Sequence, residues 1–201
     1  MLPTPGHSLP RISGYVLAGG QSSRFGTDKA RMNIDGIPLV RRLCDLVGGF
    51  CGGCTVVAAS EGKYADLGLP TIADLVPGRG PLSGLHAALH HVRADFVLLV
   101  SCDLAGLRAE WLTTLLDAMR TGDRAVAFRH DFWEPMPAMY HASIRDEVHH
   151  RLVTGTLSMQ RLLDDLSARA VSRPGDWDDH VQVNTPDDLQ RFLASKRQGE
   201  P

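Results

Sequence analysis

The run Phe96-Val97-Leu98-Leu99-Val100 leaves few folds open to this chain. Unbroken apolar character describes a strand buried on both faces, which occurs where helices cover both sides of a parallel sheet. The surrounding pattern agrees, because short β-branched runs alternate with amphipathic ones as in βα units around a largely parallel sheet. Tyr15-Val16-Leu17-Ala18 predicts a first strand that runs into a turn at Gly19-Gly20. Residues 38–50 predict a first helix, with Leu39, Leu43, Leu46, Val47 and Phe50 on one face and Pro38 in its first turn. Further strands are expected at 55–59 and 69–73, a loop at 77–81, and a helix carrying Leu82, Leu85, Ala88, Leu89 and Val92. After the buried run come a helix at 111–119, strands at 125–129 and 136–141, and a helical stretch at 144–166 broken at Thr154-Gly155. A last helix is expected at 187–196, with Thr185 as N-cap and Pro186 as its first residue.

Length and composition bound the rest. The 201 residues, 43% hydrophobic and 22% charged, suit one soluble domain. We expect it at 13–197, between a flexible segment at 1–12 and a short tail at 198–201. A formal net charge of -2 offers no general attraction to nucleic acid or an anionic membrane, so the expected partner is a small molecule. No stretch approaches the roughly 18 apolar residues of a membrane span, and the N-terminus lacks a signal-like apolar run. With cysteines only at 44, 51, 54 and 102, a reducing, cytoplasmic location is expected.

Ligands of open α/β sheets bind beyond the carboxyl ends of the strands. The expected strands place three polar groups there. The first is the loop from Gly19 to Lys29, whose paired glycines let main-chain N–H groups approach an anion while Arg24 and Lys29 add positive charge. That combination suits a triphosphate. The spacing is not that of a Walker A loop, and no GxGxxG follows the strand. The second is Asp103, at the end of the buried run, which reads either as a Mg²⁺ ligand or as a loop or capping aspartate. The third is Asn184, which by position alone reads equally as a turn residue.

Leu17 to Ala30, LAGGQSSRFGTDKA, resembles the LAGGxSxRMGxDKA loop of the molybdenum cofactor guanylyltransferases, within the wider nucleotidyltransferase superfamily. The resemblance continues in order through IADLVPGRGPLSGLHAAL, VLLVSCDLAGL and VQVNTPDDL. It implies a Rossmann-like three-layer αβα sandwich with a mostly parallel sheet. It also implies transfer of GMP from GTP to a molybdopterin-type acceptor, with release of pyrophosphate and with Mg²⁺ as cofactor. Carried over by position, Arg24, Lys29 and Asp103 are the catalytic residues implied. Nucleotide contacts fall to Leu17, Ala18, Gly19, Gly20, Lys29, Asp74, Gly80, Pro81, Leu82 and Asp103, and Asp103 and Asn184 make the metal site. Transient partners in cofactor handling are also implied.

The chain departs from the family pattern at several positions. Ala58 stands where an Asn usually helps read the base, Phe25 replaces a Met, and Ser101 and Ala105 replace prolines. TLSMQRLLDD, after Gly155, lacks an arginine common near the start of that helix. A transferase with another base or acceptor, such as a cytidylyltransferase for the same cofactor or a sugar-phosphate enzyme, therefore stays in view. So does a non-catalytic nucleotide-binding protein.

Other motifs have simpler readings. Cys51-Gly52-Gly53-Cys54 is a single CxxC without a second pair, and reads as a glycine turn between helix and strand. His86 and His90 share a helix face, but no glutamate stands where a zinc protease would need one, and His149-His150 reads as a solvated face. Trp133 and Trp177 read as local packing residues.

Overall fold

The computed structural model describes residues 10–19, 28–178 and 181–198, with side chains up to 195. β1 (Ile12–Leu17) is followed, beyond the loop, by a 3-10 turn at Lys29–Arg31 and a small hairpin of β2 (Asn33–Ile34) and β3 (Ile37–Pro38). Then come α1 (Leu39–Cys51), β4 (Cys54–Ala58), β5 (Thr71–Ala73), α2 (Pro81–His91) and β6 (Phe96–Ser101). The second half holds α3 (Ala109–Ala118), β7 (Ala125–Arg129), β8 (Trp133–His141), α4 (Arg145–Thr154), α5 (Met159–Asp165), β9 (Arg169–Ser172) and α6 (Pro186–Gln198).

Seven strands form one sheet in the order β5-β4-β1-β6-β8-β7-β9. β8 runs antiparallel to both neighbours, and all the other pairings in that sheet are parallel. Alternate side chains of the central strands divide the core. Val16, Val56, Leu98 and Val100 join a cluster with residues of α1, α3 and α6, whereas Tyr15, Leu17, Val97 and Leu99 join residues of α2, α4 and α5. Both faces are covered, so Phe96 to Val100 carries no polar alternation, and each is 6% exposed or less. The expected αβα sandwich is the observed fold.

Some boundaries differ, each for a local reason. Pro38 closes β3 and caps α1 from outside, so the helix begins at Leu39. The strand expected at 69–73 starts at Thr71: Pro70 O accepts from Val56 N at 2.8 Å, but proline has no N–H to carry the ladder further back. The helical stretch after Ile144 breaks at Gly155, as expected, where φ 80° makes a left-handed cap suited to glycine. β1 begins at Ile12, and just before it Arg11 O accepts main-chain bonds from Asp95 and Phe96 at 3.0 and 3.1 Å. No helix among the described residues is long and apolar enough to cross a membrane.

The chain moves outward from β1 through β4 to β5, then crosses back to lay β6 against the other side of β1. The ends of β1 and β6 therefore flank a topological switch point, where the connections leave in opposite directions and open a crevice.

Candidate functional site

Three segments distant in sequence meet at that crevice. Cys102 N donates to Leu17 O at 3.0 Å, which keeps the exits of β6 and β1 side by side. Beyond the exit of β6, Asp103 O accepts from Val183 N at 2.8 Å, and Val181 O accepts from Gly106 N at 3.0 Å. A Cβ at Gly106 would lie 3.0 Å from Val181 Cα, so glycine permits this close approach. Val183 is fully buried, and the next residue, Asn184, is delivered to the crevice.

Asn184 is steadied from the other side by the start of α6. Asp188 accepts from the main-chain N–H groups of Asn184 and Thr185 at 2.9 and 2.8 Å, while Thr185 Oγ1 accepts from Asp188 N at 3.1 Å. This is a capping box with aspartate in the reciprocal role, and Pro186 opens the helix as expected. The Asn184 amide bond comes first among the contacts that hold the Asp188 carboxyl down at about 2.

Lys29 reaches into the same place. Its ammonium donates to Asn184 Oδ1 at 3.0 Å and lies 3.8 Å from Asp103 Oδ2. The side chains of Lys29 and Asp103 are 14% and 25% exposed, so the pair is partly shielded yet reachable. One cation and two hard oxygen donors thus converge at the switch point. A carboxylate and an amide oxygen match the preference of Mg²⁺, which keeps several waters and takes one or two protein oxygens together with substrate phosphates. Among the described residues, no three His, Cys, Asp or Glu side chains gather to hold a metal by themselves.

The other expected nucleotide contacts that are described sit at the end of β1, at the end of β5 and at the start of α2. Ala18 N donates to Val57 O at 2.9 Å and is thus committed to the sheet, whereas Gly19 is exposed. A Cβ at Gly19 would meet none of the described atoms within 4 Å. Of Leu17-Ala18-Gly19, only Gly19 is exposed. Gly20 and Arg24 lie outside the described residues. On the β4–β5 side, Asp74 N donates to Ala58 O at 2.7 Å, and Asp74 itself accepts from Ser83 Oγ at 2.7 Å and Val76 N at 3.0 Å. Ser83 is in the first turn of α2, so Asp74 fixes where that helix starts. Gly80, at φ 70°, precedes it, and Pro81 is its first residue. Leu82 is fully buried, so its side chain packs in the core and only its main chain faces the loop. Ala58, 1% exposed, points into the core and has no polar atom to offer a base.

Two features were not anticipated from the sequence. Asp28 accepts from Tyr64 Oη at 3.0 Å and lies 2.9 Å from Lys63 Nζ. Gln160 of α5 brackets Trp133, accepting from its N–H at 2.9 Å and donating to its carbonyl at 2.8 Å. Both depend on partners that only the folded chain brings near; the Asp preceding Lys29 was the available signal for the first.

The remaining motifs are structural. Gly52 caps α1 in the left-handed region between Cys51 and Cys54, and burial pushes the Cys51 thiol up to about 12, away from redox reactivity. Trp177 is buried and stacks on Trp111 with centroids 4.8 Å apart, and Trp133 is 5% exposed. His149 and His150 are both exposed, as expected, and His149 Nδ1 also lies 3.2 Å from Nε2 of the buried His86.

Residues 14–171 match the family model described as MobA-like NTP transferase domain. A molybdenum cofactor guanylyltransferase of Yersinia pestis (strain Pestoides F) is 30% identical over 194 residues, covering 95% of this chain and 99% of the relative. Among solved structures, molybdopterin-guanine dinucleotide biosynthesis protein A from Archaeoglobus fulgidus superposes with a TM-score of 0.74 at 26% identity, over 92% of this chain and 99% of that one. The 4-diphosphocytidyl-2C-methyl-D-erythritol synthase of Anaerococcus prevotii DSM 20548 shares the fold, at a TM-score of 0.71 and 12% identity, over 94% and 100% of the two chains.

Proposed function

Because this chain belongs to the MobA-like NTP transferases, and so is a nucleotidyltransferase, we propose that it moves GMP from GTP to a molybdopterin-type acceptor and releases pyrophosphate. The observation that carries this reading is the convergence of Lys29, Asp103 and Asn184 beside the exposed Gly19. Lys29, joined by Arg24, neutralises the triphosphate. The exposed main chain at Gly19 and the loop from Gly80 to Leu82 serve as its main-chain contacts, and Asp74 serves the nucleoside. Asp103 and Asn184 would hold Mg²⁺, which would supply charge neutralisation on the phosphates.

The chemistry asks little more of the protein. A terminal phosphate on the acceptor is already anionic at neutral pH and attacks the α-phosphorus directly, with pyrophosphate as leaving group. Positioning and charge neutralisation suffice, without a general base or covalent nucleophile. The described cysteines are free thiols, which suits a reducing cytoplasm.

Guanine as the base rests on family membership and not on Ala58. Thermal unfolding with GTP, CTP, ATP or UTP, each with Mg²⁺, tests it, since a ligand at a hundredfold excess over its Kd stabilises the fold by about 2.7 kcal/mol. GTP is expected to raise Tm most. A larger rise with CTP overturns the choice of guanine.

A further inference from the structure

Asp28 stands immediately before Lys29 and is held by partners from two segments of the chain. Its Oδ1 accepts from Ala30 N at 3.2 Å, which caps the 3-10 turn Lys29–Arg31. Its Oδ2 accepts from Tyr64 Oη at 3.0 Å and sits 2.9 Å from Lys63 Nζ. Tyr64 is fully buried, with the Lys63 ammonium and the Arg31 guanidinium 5.1 and 5.2 Å from its ring centroid. Arg31, at the other end of the turn, forks onto Asp66 at 2.7 and 2.9 Å and donates to Lys63 O at 2.9 Å. Both ends of the turn that carries Lys29 are therefore fastened to residues 63–66, in the segment between β4 and β5.

We propose that Asp28 is a positioning residue of the transfer site: anchored by Tyr64 and Lys63, it fixes the turn that aims the Lys29 ammonium at Asn184 and Asp103. The inference rests on Lys29 being the phosphate-neutralising cation. A lysine has a long stem with many rotamers, and fixing its backbone in advance removes ordering that nucleotide binding would otherwise have to supply. The arrangement also manages a conflict of charge. A carboxylate adjacent in sequence to Lys29 could compete with phosphate for the ammonium, and Asp28 is instead engaged by Lys63 and Tyr64. Burial acts to raise the Asp28 pKa, but hydrogen bonds from Lys63 and Tyr64 outweigh it and keep the carboxyl below its ordinary range. The anchor is therefore charged throughout neutral pH.

A merely structural residue and a positioning residue differ in how they combine with Lys29. The test measures Mg²⁺–GTP affinity by titration calorimetry, and KM and kcat for pyrophosphate release, in the full chain. The variants are Asp28→Ala, Lys29→Ala, the double variant, and Tyr64→Phe alone and with Lys29→Ala. Asp28→Ala is expected to weaken GTP about fivefold to tenfold, and Tyr64→Phe, which keeps the ring, about twofold to fivefold, in KM more than in kcat. In the Lys29→Ala background each added change is expected to shift GTP affinity by less than about twofold, because no ammonium remains to aim. If Asp28→Ala does not fold, the Tyr64→Phe pair of measurements decides alone. Full recurrence of the single-variant loss in the Lys29→Ala background overturns the proposal. Unchanged GTP affinity in Lys29→Ala overturns the reading of Lys29 itself, and is distinguishable because it appears before any change at Asp28.

Discussion

Lys29 and Asn184, 155 positions apart in the chain, are joined by a 3.0 Å hydrogen bond at the carboxyl edge of the sheet. Asn184 lies beyond the residues 14–171 that the family model matches. Its place depends on the main-chain bond from Val183 to Asp103 and on the cap of α6. The crevice is closed by the last part of the chain, which returns to the exit of β6.

Asn184→Ala removes one of the two oxygen donors and leaves the cap intact, since Asp188 bonds the main chain of Asn184 and not its side chain. The Mg²⁺ concentration for half-maximal pyrophosphate release should rise about tenfold, equivalent to about 1.4 kcal/mol. Titrating activity with Mg²⁺ checks this. An unchanged half-saturation point removes Asn184 from the metal site.

Two glycines should part company. A Cβ at Gly14 would lie 2.3 Å from Val47 Cγ1 and 3.1 Å from Gly53 O, where α1 packs closely on β1. Gly14→Ala should therefore cost about 1–3 kcal/mol, read from urea unfolding midpoints, although alanine is ordinarily favoured over glycine within a strand. Gly19→Ala meets none of the described atoms within 4 Å, and should change stability by less than about 0.5 kcal/mol while weakening GTP binding.

His86 supplies a pH signature of folding. It is buried on α2, its Nδ1 has no hydrogen-bond partner, and its Nε2 lies 3.2 Å from His149 of α4. Burial first, then the nearby His90 and His149, lower its pKa, and only Asp74 opposes them. A base whose pKa is lowered on folding binds fewer protons in the native state. Its contribution is present above the unfolded value of about 6.5 and is lost as pH falls below it. Urea midpoints of the wild type should drop between pH 7.5 and 5.5, and the drop should be smaller in His86→Leu. Equal drops in the two proteins would contradict this.

Some of this was written plainly in the sequence. Phe96 to Val100 announced the doubly covered sheet, and the polar residue at its end had to reach the working edge. Thr185 and Pro186 announced α6. Other elements gave no usable pattern. β9 is a short, half-exposed edge strand without an apolar run, and it was not foreseen. The β2–β3 hairpin turns at Asp35-Gly36, both at positive φ, but strands of two residues are too short to show a period. β8 was expected only from residue 136. The strand nevertheless begins at Trp133, because its pairing with β7 jumps from Glu134 to Ala138 and leaves Pro135 and Pro137 out of the ladder. Asp28 escaped notice because its meaning lies in Tyr64 and Lys63, which the fold brings to it. The direction of β8 is likewise a property of the whole sheet that no local period encodes.

The most direct measurement is pyrophosphate release from GTP with Mg²⁺ and a molybdopterin acceptor, comparing the wild type with Asp103→Ala after circular dichroism has shown both to be folded. Loss of metal-dependent release by at least about a hundredfold in Asp103→Ala is expected, since removing one such charge-stabilising group costs about 2.7–4 kcal/mol of transition-state stabilisation. Wild-type rates in the folded Asp103→Ala protein would contradict the placement of the transfer site at the switch point.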